Sequence, residues 1–216
     1  MKIIRNSNLD QLPCLVTIGH FDGVHLGHQA LLTEVKKRAH DLKLESAVIT
    51  FEPNPKDYFS QNKPQTRISS LREKIELFNE IEIDRVHIIK FNQEFSKVTA
   101  NEFISVLIKQ LKVKEIVVGE DFCFGRGREG GIKKLSASSM KLNIKNKILM
   151  DGKRISSTLI RNLLANDKLD EANKYIGRPY SISGKVVHGE KRGRKIGFPT
   201  ANIHMRHNRP PLKGVF

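Results

Sequence analysis

The sequence alternates short apolar runs with amphipathic segments. Two of these segments begin at predicted capping boxes, Ser70 with Glu73 and Thr99 with Glu102. The predicted strands are LVTI (15–18), SAVITF (46–51), RVHIIKF (85–91), EIVV (115–118) and KILM (147–150). Repeated strand, helix, strand order predicts an α/β fold with a parallel sheet covered by helices on both faces. Functional residues are therefore expected beyond the carboxyl ends of the strands.

The pattern changes after Asp151. Two predicted helices, SSTLIRNLLA (156–165) and KLDEANKYI (168–176), are followed by Gly177, Arg178 and Pro179. The next segment, YSISGKVVHGEKRGRKIGFPTANIH (180–204), alternates apolar and polar residues around glycine-rich turns. This alternation favours antiparallel β structure over further strand–helix units. We predict two domains, 1–178 and 179–216.

Composition limits the classes of function. The chain has 38% hydrophobic and 28% charged residues, which is typical of a soluble globular protein. Its formal net charge of +15 favours polyanionic partners such as nucleotides or nucleic acid, although a lysine-rich solvated surface gives the same excess. Cys14 and Cys123 are far apart, which disfavours a disulfide framework. Without a signal peptide or a membrane-spanning run, a cytoplasmic location with no membrane partner is expected.

The first predicted strand leads into a glycine-bounded turn, GHFDGVHLGH (19–28), and the helical pattern QALLTEVKKRA follows it. His28 is expected at the helix N-terminus, where free N–H groups and the helix dipole favour a phosphate, with His25 three residues before it. Imidazole N–H groups suit nucleotidyl transfer, which spreads negative charge over the α-phosphate and the leaving pyrophosphate. The alternatives are loop histidines bonded to the backbone, or a zinc site for which Asp22 is the nearby carboxylate.

The predicted strand EIVV is followed by GEDFCFGRGREGG (119–131). Phe122 and Phe124 alternate beside Asp121, an arrangement able to stack a flat ring. The same alternation fits a strand that packs two phenylalanines into the core. The loop also contains a G-x-G-x-x-G string, but the residues GEDFCF separate it from the strand, which argues against a dinucleotide-binding fingerprint.

A further segment, ISSTLIR (155–161), places three hydroxyl residues at a predicted helix start, with Arg161 one turn further on. Hydroxyl groups at a helix N-terminus together with a cation are suited to a second phosphate site. The alternative is an ordinary N-cap with a surface arginine.

These segments together resemble one family, the bacterial bifunctional FAD synthetases. GHFDGVHLGH is similar to the HxGH signature of adenylyl and cytidylyl transferases, and EPNP (52–55) resembles the F-x-P-x-P segment, with Asn54 where many members carry histidine. GEDFCFGRGREGG resembles the flavin-binding segment, and ISSTLIR resembles the motif that closes on the ATP phosphates. The tail GEKRGRKIGFPTANI (189–203) resembles the opening of a riboflavin kinase domain.

The resemblance implies a Rossmann-like nucleotidyltransferase domain followed by an incomplete small antiparallel β-barrel. The implied reaction transfers AMP from ATP to FMN, with Mg²⁺ neutralising the phosphates. Catalytic roles are implied for His25, His28 and Arg161. The implied ATP-binding residues are Gly19, Phe21, Asp22, Gly23, His25, His28, Ser156, Ser157, Thr158 and Arg161. The implied flavin-binding residues are Asp121, Phe122, Phe124, Gly125 and Arg128, and the implied metal ligands are Thr200 and Asn202.

Partners are therefore expected to be the small molecules ATP, FMN and riboflavin, without nucleic acid. Because the sequence stops at Phe216, within the kinase pattern, riboflavin kinase activity is expected to be absent and the chain to be a fragment. One alternative is another HxGH transferase that acts on a different phosphate or on CTP. A second is a basic nucleic-acid-binding module, although RRM, KH and helix-turn-helix signatures are missing.

Overall fold

The computed structural model describes residues 1–5, 12–60, 65–187, 197, 201–205 and 211–212. The strands are β1 (Lys2–Ile4), β2 (Cys14–Ile18), β3 (Glu45–Glu52), β4 (Arg85–Lys90), β5 (Val113–Gly119), β6 (Lys141–Lys145), β7 (Leu149–Met150), β8 (Lys153–Arg154), β9 (Lys185–Val187) and β10 (Asn202–His204). The helices are α1 (Leu26–Asp41), α2 (Pro55–Phe59), α3 (Leu71–Glu80), α4 (Gln93–Ser96), α5 (Ala100–Ser105), α6 (Ile132–Ser136), α7 (Ser157–Ala165) and α8 (Leu169–Ile176). A π-helical turn, Val106–Gln110, continues α5.

Six strands form one sheet in the order β1-β4-β3-β2-β5-β6, and every neighbouring pair is parallel. The predicted α/β fold with a parallel sheet is confirmed. The chain moves outward from β2 through β3 to β4 and then returns to the other side of β2 with β5. Strand order therefore reverses beside β2, and a crevice opens beyond the carboxyl ends of β2 and β5, which is where such sheets bind ligands.

Helices cover both faces of the sheet. All five residues of β2 are buried, and they alternate between the two sides as a strand requires. Val16 belongs to the cluster that contains Phe103 of α5, whereas Leu15 packs with Val35 of α1. A third cluster joins α7 to α8 and includes Ile68, from the loop between α2 and α3.

The prediction that KILM (147–150) is a strand of the main sheet is wrong. Only Leu149–Met150 is extended, and it pairs antiparallel with β8 in a hairpin outside the main sheet. The turn between them is Asp151–Gly152, with φ of 52° and 71°, and an Asp-Gly pair with positive φ is the signal for a two-residue hairpin. The sheet instead ends at β6, whose sequence KLNIK is half polar because it lies at an edge.

The C-terminal segment contains the antiparallel pair β9 and β10. This agrees with the antiparallel structure expected there, while most of the glycine-rich signature, including Thr200, lies outside the described residues. Helix α8 ends at Gly177, whose φ of 82° is the left-handed conformation common at helix C-termini.

Candidate active site

A cavity of about 1350 Å³ lies at the carboxyl edge of the sheet. The sequence-predicted site residues that line it are Gly19, Phe21, Asp22, His25, His28, Asp121, Phe122, Phe124, Gly125, Arg128, Ser156, Ser157, Thr158 and Arg161. Gly23, in the same turn, does not line the cavity, and its N–H donates to Ser69 Oγ at 2.8 Å. The histidine turn, the phenylalanine loop and the α7 start therefore meet at one place although more than 100 residues separate the first from the last.

The histidine turn is built around an unusual helix start. Helix α1 begins at Leu26, three residues earlier than the expected Gln29, because His25 is the N-cap and its Nδ1 accepts the His28 N–H at 3.3 Å. The rings of His25 and His28 stack with centroids 3.6 Å apart and an interplanar angle of 14°. Helix-start rules favour Ser, Thr, Asp or Asn at this position, so they do not identify a histidine cap.

Both stacked imidazoles are neutral at pH 7. Burial lowers the pKa of His25 to about 4, and burial together with the neighbouring His25 holds the pKa of His28 well below its usual value. Because Nδ1 of neutral His25 accepts a hydrogen bond, its proton lies on Nε2. Among the described residues, His28 Nδ1 has no hydrogen-bond partner. Two uncharged imidazoles are thus available as hydrogen-bond donors at one helix N-terminus.

Stability is expected to fall as the pH is lowered from 6.5 to 5. Burial lowers the pKa of His25 and of His87, a buried residue of β4, to about 4 from 6.5. In that range the unfolded chain binds protons that the folded chain does not, so the free energy of unfolding decreases, by about 1.5 kcal/mol per histidine. Urea unfolding at several pH values measures this.

The test variant is His87→Met. It removes one buried titrating group outside the cavity and should make the pH dependence less steep. An unfolding free energy that is constant between pH 7 and 5 in the native chain would contradict the assignment of neutral buried imidazoles.

Asp22 joins three segments of the site. Its carboxylate accepts the Ile68 N–H at 3.0 Å and the Ser69 N–H at 3.1 Å, and Arg161 Nη2 donates to it at 2.7 Å. The Asp22 carbonyl accepts from Ser157 Oγ at 2.9 Å. Asp22 therefore fixes the start of α7 against the histidine turn, with most of its acceptor capacity used inside the protein.

The start of α7 has features of both structures predicted for ISSTLIR, an ordinary N-cap and a phosphate site. Ser156 is an ordinary N-cap whose Oγ accepts the Leu159 N–H at 3.2 Å. Arg161 is not a surface arginine, because its side chain is only 12% exposed and it lines the cavity. Thr158 is exposed and lines the same cavity. A largely buried cation and the start of a helix therefore line the same cavity as the two histidines.

The loop after β5 supplies an aromatic wall. Phe124 is buried against Phe103 and forms an isolated antiparallel bridge with Gly130. Phe122 is half-buried and stacks on Phe124 with ring centroids 5.6 Å apart. Asp121 is held by Arg154 Nη2 at 2.7 Å. Phe124 thus packs into the core, as predicted by the alternative in which the phenylalanines are core residues. Both phenylalanines also line the cavity.

Further aromatic residues, not predicted from the sequence, also line the cavity and continue the same aromatic cluster through Phe103: Phe51, Phe59, Phe91 and Phe95. They contact one another edge to face, and Phe59 is 68% exposed at the cavity surface. They come from β3, α2, α4 and the residue after β4, so no sequence pattern groups them. Asn54 also lines the cavity, and its side chain caps α2 by accepting the Lys56 N–H at 3.0 Å.

Comparison with known families gives two matches. The family model described as FAD synthetase matches residues 7–159, and the model described as riboflavin kinase matches residues 176–216. Across the described part of the chain, helices with the length and hydropathy of a membrane span are absent.

Curated relatives carry both activities in their names. The bifunctional riboflavin kinase/FMN adenylyltransferase of Escherichia coli K12 is 43% identical over 225 residues, covering 100% of this chain and 72% of the relative. The protein of the same name from Haemophilus influenzae is 42% identical and covers 100% of this chain and 73% of its own length.

A solved structure supports the fold. The crystal structure of a macrolide-efflux protein from Streptococcus pneumoniae is 30% identical, with a TM-score of 0.83, and the alignment covers 99% of this chain and 73% of that chain. Together with the matches along the sequence, this shows that the chain belongs to the bacterial FAD synthetase family, that of the bifunctional riboflavin kinase/FMN adenylyltransferases.

Proposed function

We propose that this chain transfers the adenylyl group of ATP to FMN, forming FAD and pyrophosphate. The supporting observation is that one cavity joins a histidine-lined helix N-terminus, a second helix N-terminus with Arg161, and an aromatic wall. The two helix starts suit a triphosphate, and the aromatic wall suits a flat ring. The FAD synthetase match and the names of the relatives support the same reaction.

The ATP phosphates are proposed to lie between the starts of α1 and α7. Nε2–H of His25 and an N–H of His28 would donate to phosphate oxygens, and Arg161 would add positive charge from the other side. Donors held in place before the reaction stabilise charge as it develops on the α-phosphate and on the leaving pyrophosphate. The Ser156, Ser157 and Asp22 contacts keep these donors in position.

In the proposed reaction an FMN phosphate oxygen attacks the α-phosphorus of ATP. The bond from that phosphorus to the bridging oxygen of the β-phosphate breaks, and pyrophosphate leaves with the electron pair. The FMN phosphate is already largely deprotonated near neutral pH, so no protein base is required. Catalysis then depends on positioning and electrostatic stabilisation.

The isoalloxazine ring is proposed to bind beside the phenylalanine loop. Phe122 presents a half-buried ring backed by Phe124, and Gly125 begins the turn that carries Arg128. Phe59 and its aromatic neighbours extend this aromatic surface along the cavity. Asp121 and Arg128 are polar groups of this loop that line the cavity, and they would contact the polar edge of the flavin or its phosphate.

Mg²⁺ belongs to this proposal as part of the ATP complex. The described residues contain no group of three or more His, Cys, Asp or Glu side chains able to hold a metal, and the Asp22 carboxylate is already bonded to Arg161 and two backbone N–H groups. The cavity therefore fits a Mg²⁺ ion that is carried in on the substrate phosphates, which is how proteins usually bind Mg²⁺. When bound it would neutralise phosphate charge.

The proposed adenylyltransferase unit is residues 1–178, and residues 179–216 are proposed to belong to a riboflavin kinase unit. Support for the second comes from the riboflavin kinase match over 176–216. Thr200 and Asn202 are its proposed Mg²⁺ and phosphate ligands; Asn202 lies on β10 and Thr200 lies outside the described residues. A cytoplasmic location is also proposed, in keeping with the free thiols of Cys14 and Cys123.

The proposed function is tested by chromatographic detection of FAD from FMN and Mg-ATP, beside a parallel reaction with riboflavin that reports on the kinase separately. FAD formation that depends on the protein and on FMN is the expected result. Efficient use of CTP in place of ATP would instead support the other transferase class. Salt-sensitive RNA binding without any FAD formation would overturn the proposal.

Gly125→Ala is expected to weaken FMN binding by roughly tenfold or more. Gly125 has φ of 76°, and a Cβ there would lie 2.7 Å from Ala100 N and 2.9 Å from Ala100 Cα, so the loop that carries Phe122 and Arg128 must shift. Quenching of FMN fluorescence on titration with the variant measures the affinity.

Gly127→Ala is the matched control for Gly125→Ala. Its φ of 60° is also positive, but a Cβ there meets nothing within 4 Å. Both variants therefore carry backbone strain of about 1 kcal/mol, and only Gly125→Ala adds a steric conflict. Equal FMN affinities for the two variants would argue against a flavin site at this loop.

A further inference from the structure

Arg178, which follows α8, reaches back to the histidine turn. Its Nη2 donates to the Gly23 carbonyl at 2.9 Å and its Nη1 to the Val24 carbonyl at 3.1 Å. One planar guanidinium thus holds two consecutive carbonyl groups, a geometry that a single ammonium group does not reproduce. Arg178 itself does not line the cavity.

The backbone held in this way is strained. Val24 has φ of 38°, and a positive φ is unfavourable for a β-branched residue, so the surrounding structure must maintain it. The Val24 carbonyl also accepts from Gln29 Nε2 at 2.8 Å, and the same amide group donates to the Ile176 carbonyl at 2.8 Å. The end of α8 is therefore bonded twice, through Arg178 and through Gln29, to the residue before His25.

We propose that Arg178 is a positioning residue for His25 in adenylyl transfer, a role that rests on the function proposed above. Val24 directly precedes His25, whose cap bond to the His28 N–H is a long 3.3 Å. Without the guanidinium, Val24 relaxes toward negative φ and turns the His25 ring away from its stacked position. Arg178 lies at the end of the proposed adenylyltransferase unit and within the riboflavin kinase match, which begins at residue 176.

The test is a double-mutant cycle of Arg178→Met with His25→Ala, measured as kcat for FAD formation in the full chain. Arg178→Met alone is expected to lower kcat by roughly 10- to 100-fold, the cost of a misplaced catalytic group, while the KM values for ATP and FMN change by less than about threefold. In the His25→Ala background the same substitution is expected to change kcat less than about twofold, because the group that Arg178 positions is gone.

Two control variants distinguish a loss of His25 positioning from a loss of folding stability. Arg178→Lys keeps one donor and is expected to recover part of the kcat. Arg38→Met removes the guanidinium that pairs with the buried Glu115 carboxylate at 2.6 Å, so it should lower the melting temperature while kcat stays unchanged below that temperature.

Equal losses from Arg178→Met in both backgrounds, or an unchanged kcat with only a lower melting temperature, would overturn the positioning role. If the native chain forms no FAD at all, the proposed function itself fails. FAD formation by the native chain with an unaffected Arg178→Met variant rejects only the present inference.

Discussion

Replacing His28 with alanine is expected to lower the rate of FAD formation by roughly 10²- to 10³-fold. The side chain lies in the first turn of α1, stacks on His25 and contacts the edge of Phe21 at a centroid distance of 5.2 Å. Because burial keeps its pKa well below the usual value, it acts as a neutral donor whose position is set before ATP binds. Initial rates of FAD production from FMN and Mg-ATP measure the loss.

The control for this prediction is His40→Ala on the same helix, whose exposed side chain lies in the last turn of α1. It should retain the native rate. Because His28→Ala also removes a buried ring, its melting temperature must be recorded and the assay run below it. A rate within about threefold of native, with the variant folded, would remove His28 from the proposed phosphate site.

Replacing Arg161 with glutamine is expected to affect both stability and catalysis. Without the guanidinium, the buried Asp22 carboxylate keeps only its backbone and serine donors, and the free energy of unfolding should fall by about 2 to 3 kcal/mol. Loss of a cation at the proposed phosphate site should lower kcat/KM by roughly 10²-fold or more. Urea unfolding and FAD formation measure the two effects.

The combined variant Asp22→Asn/Arg161→Gln separates the two roles of Arg161. Removing both charges relieves the uncompensated carboxylate, so part of the stability should return. Catalysis should stay low, because the cation at the phosphates is still missing. Recovery of FAD formation together with stability would show that Arg161 acts only through Asp22. Arg72→Met, at an exposed pair with Glu76, controls for the loss of an arginine that has no such role.

Local signals in the sequence were reliable where few tertiary contacts compete with them. The capping box of Ser70 and Glu73 is present with both reciprocal hydrogen bonds, as is that of Thr99 and Glu102. The buried run at β2 is a central strand because an uninterrupted apolar sequence needs both of its faces covered. The KILM prediction failed since a short apolar run does not distinguish a sheet strand from a hairpin arm.

The position of the candidate site was also expected, because parallel sheets bind ligands at the carboxyl ends of strands and each quoted motif follows or approaches one. The long-range contacts that hold the site together were not expected from the sequence. Nothing in the sequence pairs Asp22 with Arg161, 139 residues away, or Arg178 with Gly23, 155 residues away. The histidine cap of α1 and the aromatic wall around Phe59 were likewise missed.

The sequence by itself determined the α/β class, the capping boxes and the family to which the chain belongs, because these depend on residue type and on spacing over a few turns. Only the tertiary structure decided that β2 neighbours β5, that Arg161 pairs with Asp22, and that Arg178 holds the strained Val24. The physical reason is that such contacts join segments distant in sequence. Their partners are chosen by the shape and unmet hydrogen bonds of the folded core, which no local pattern encodes.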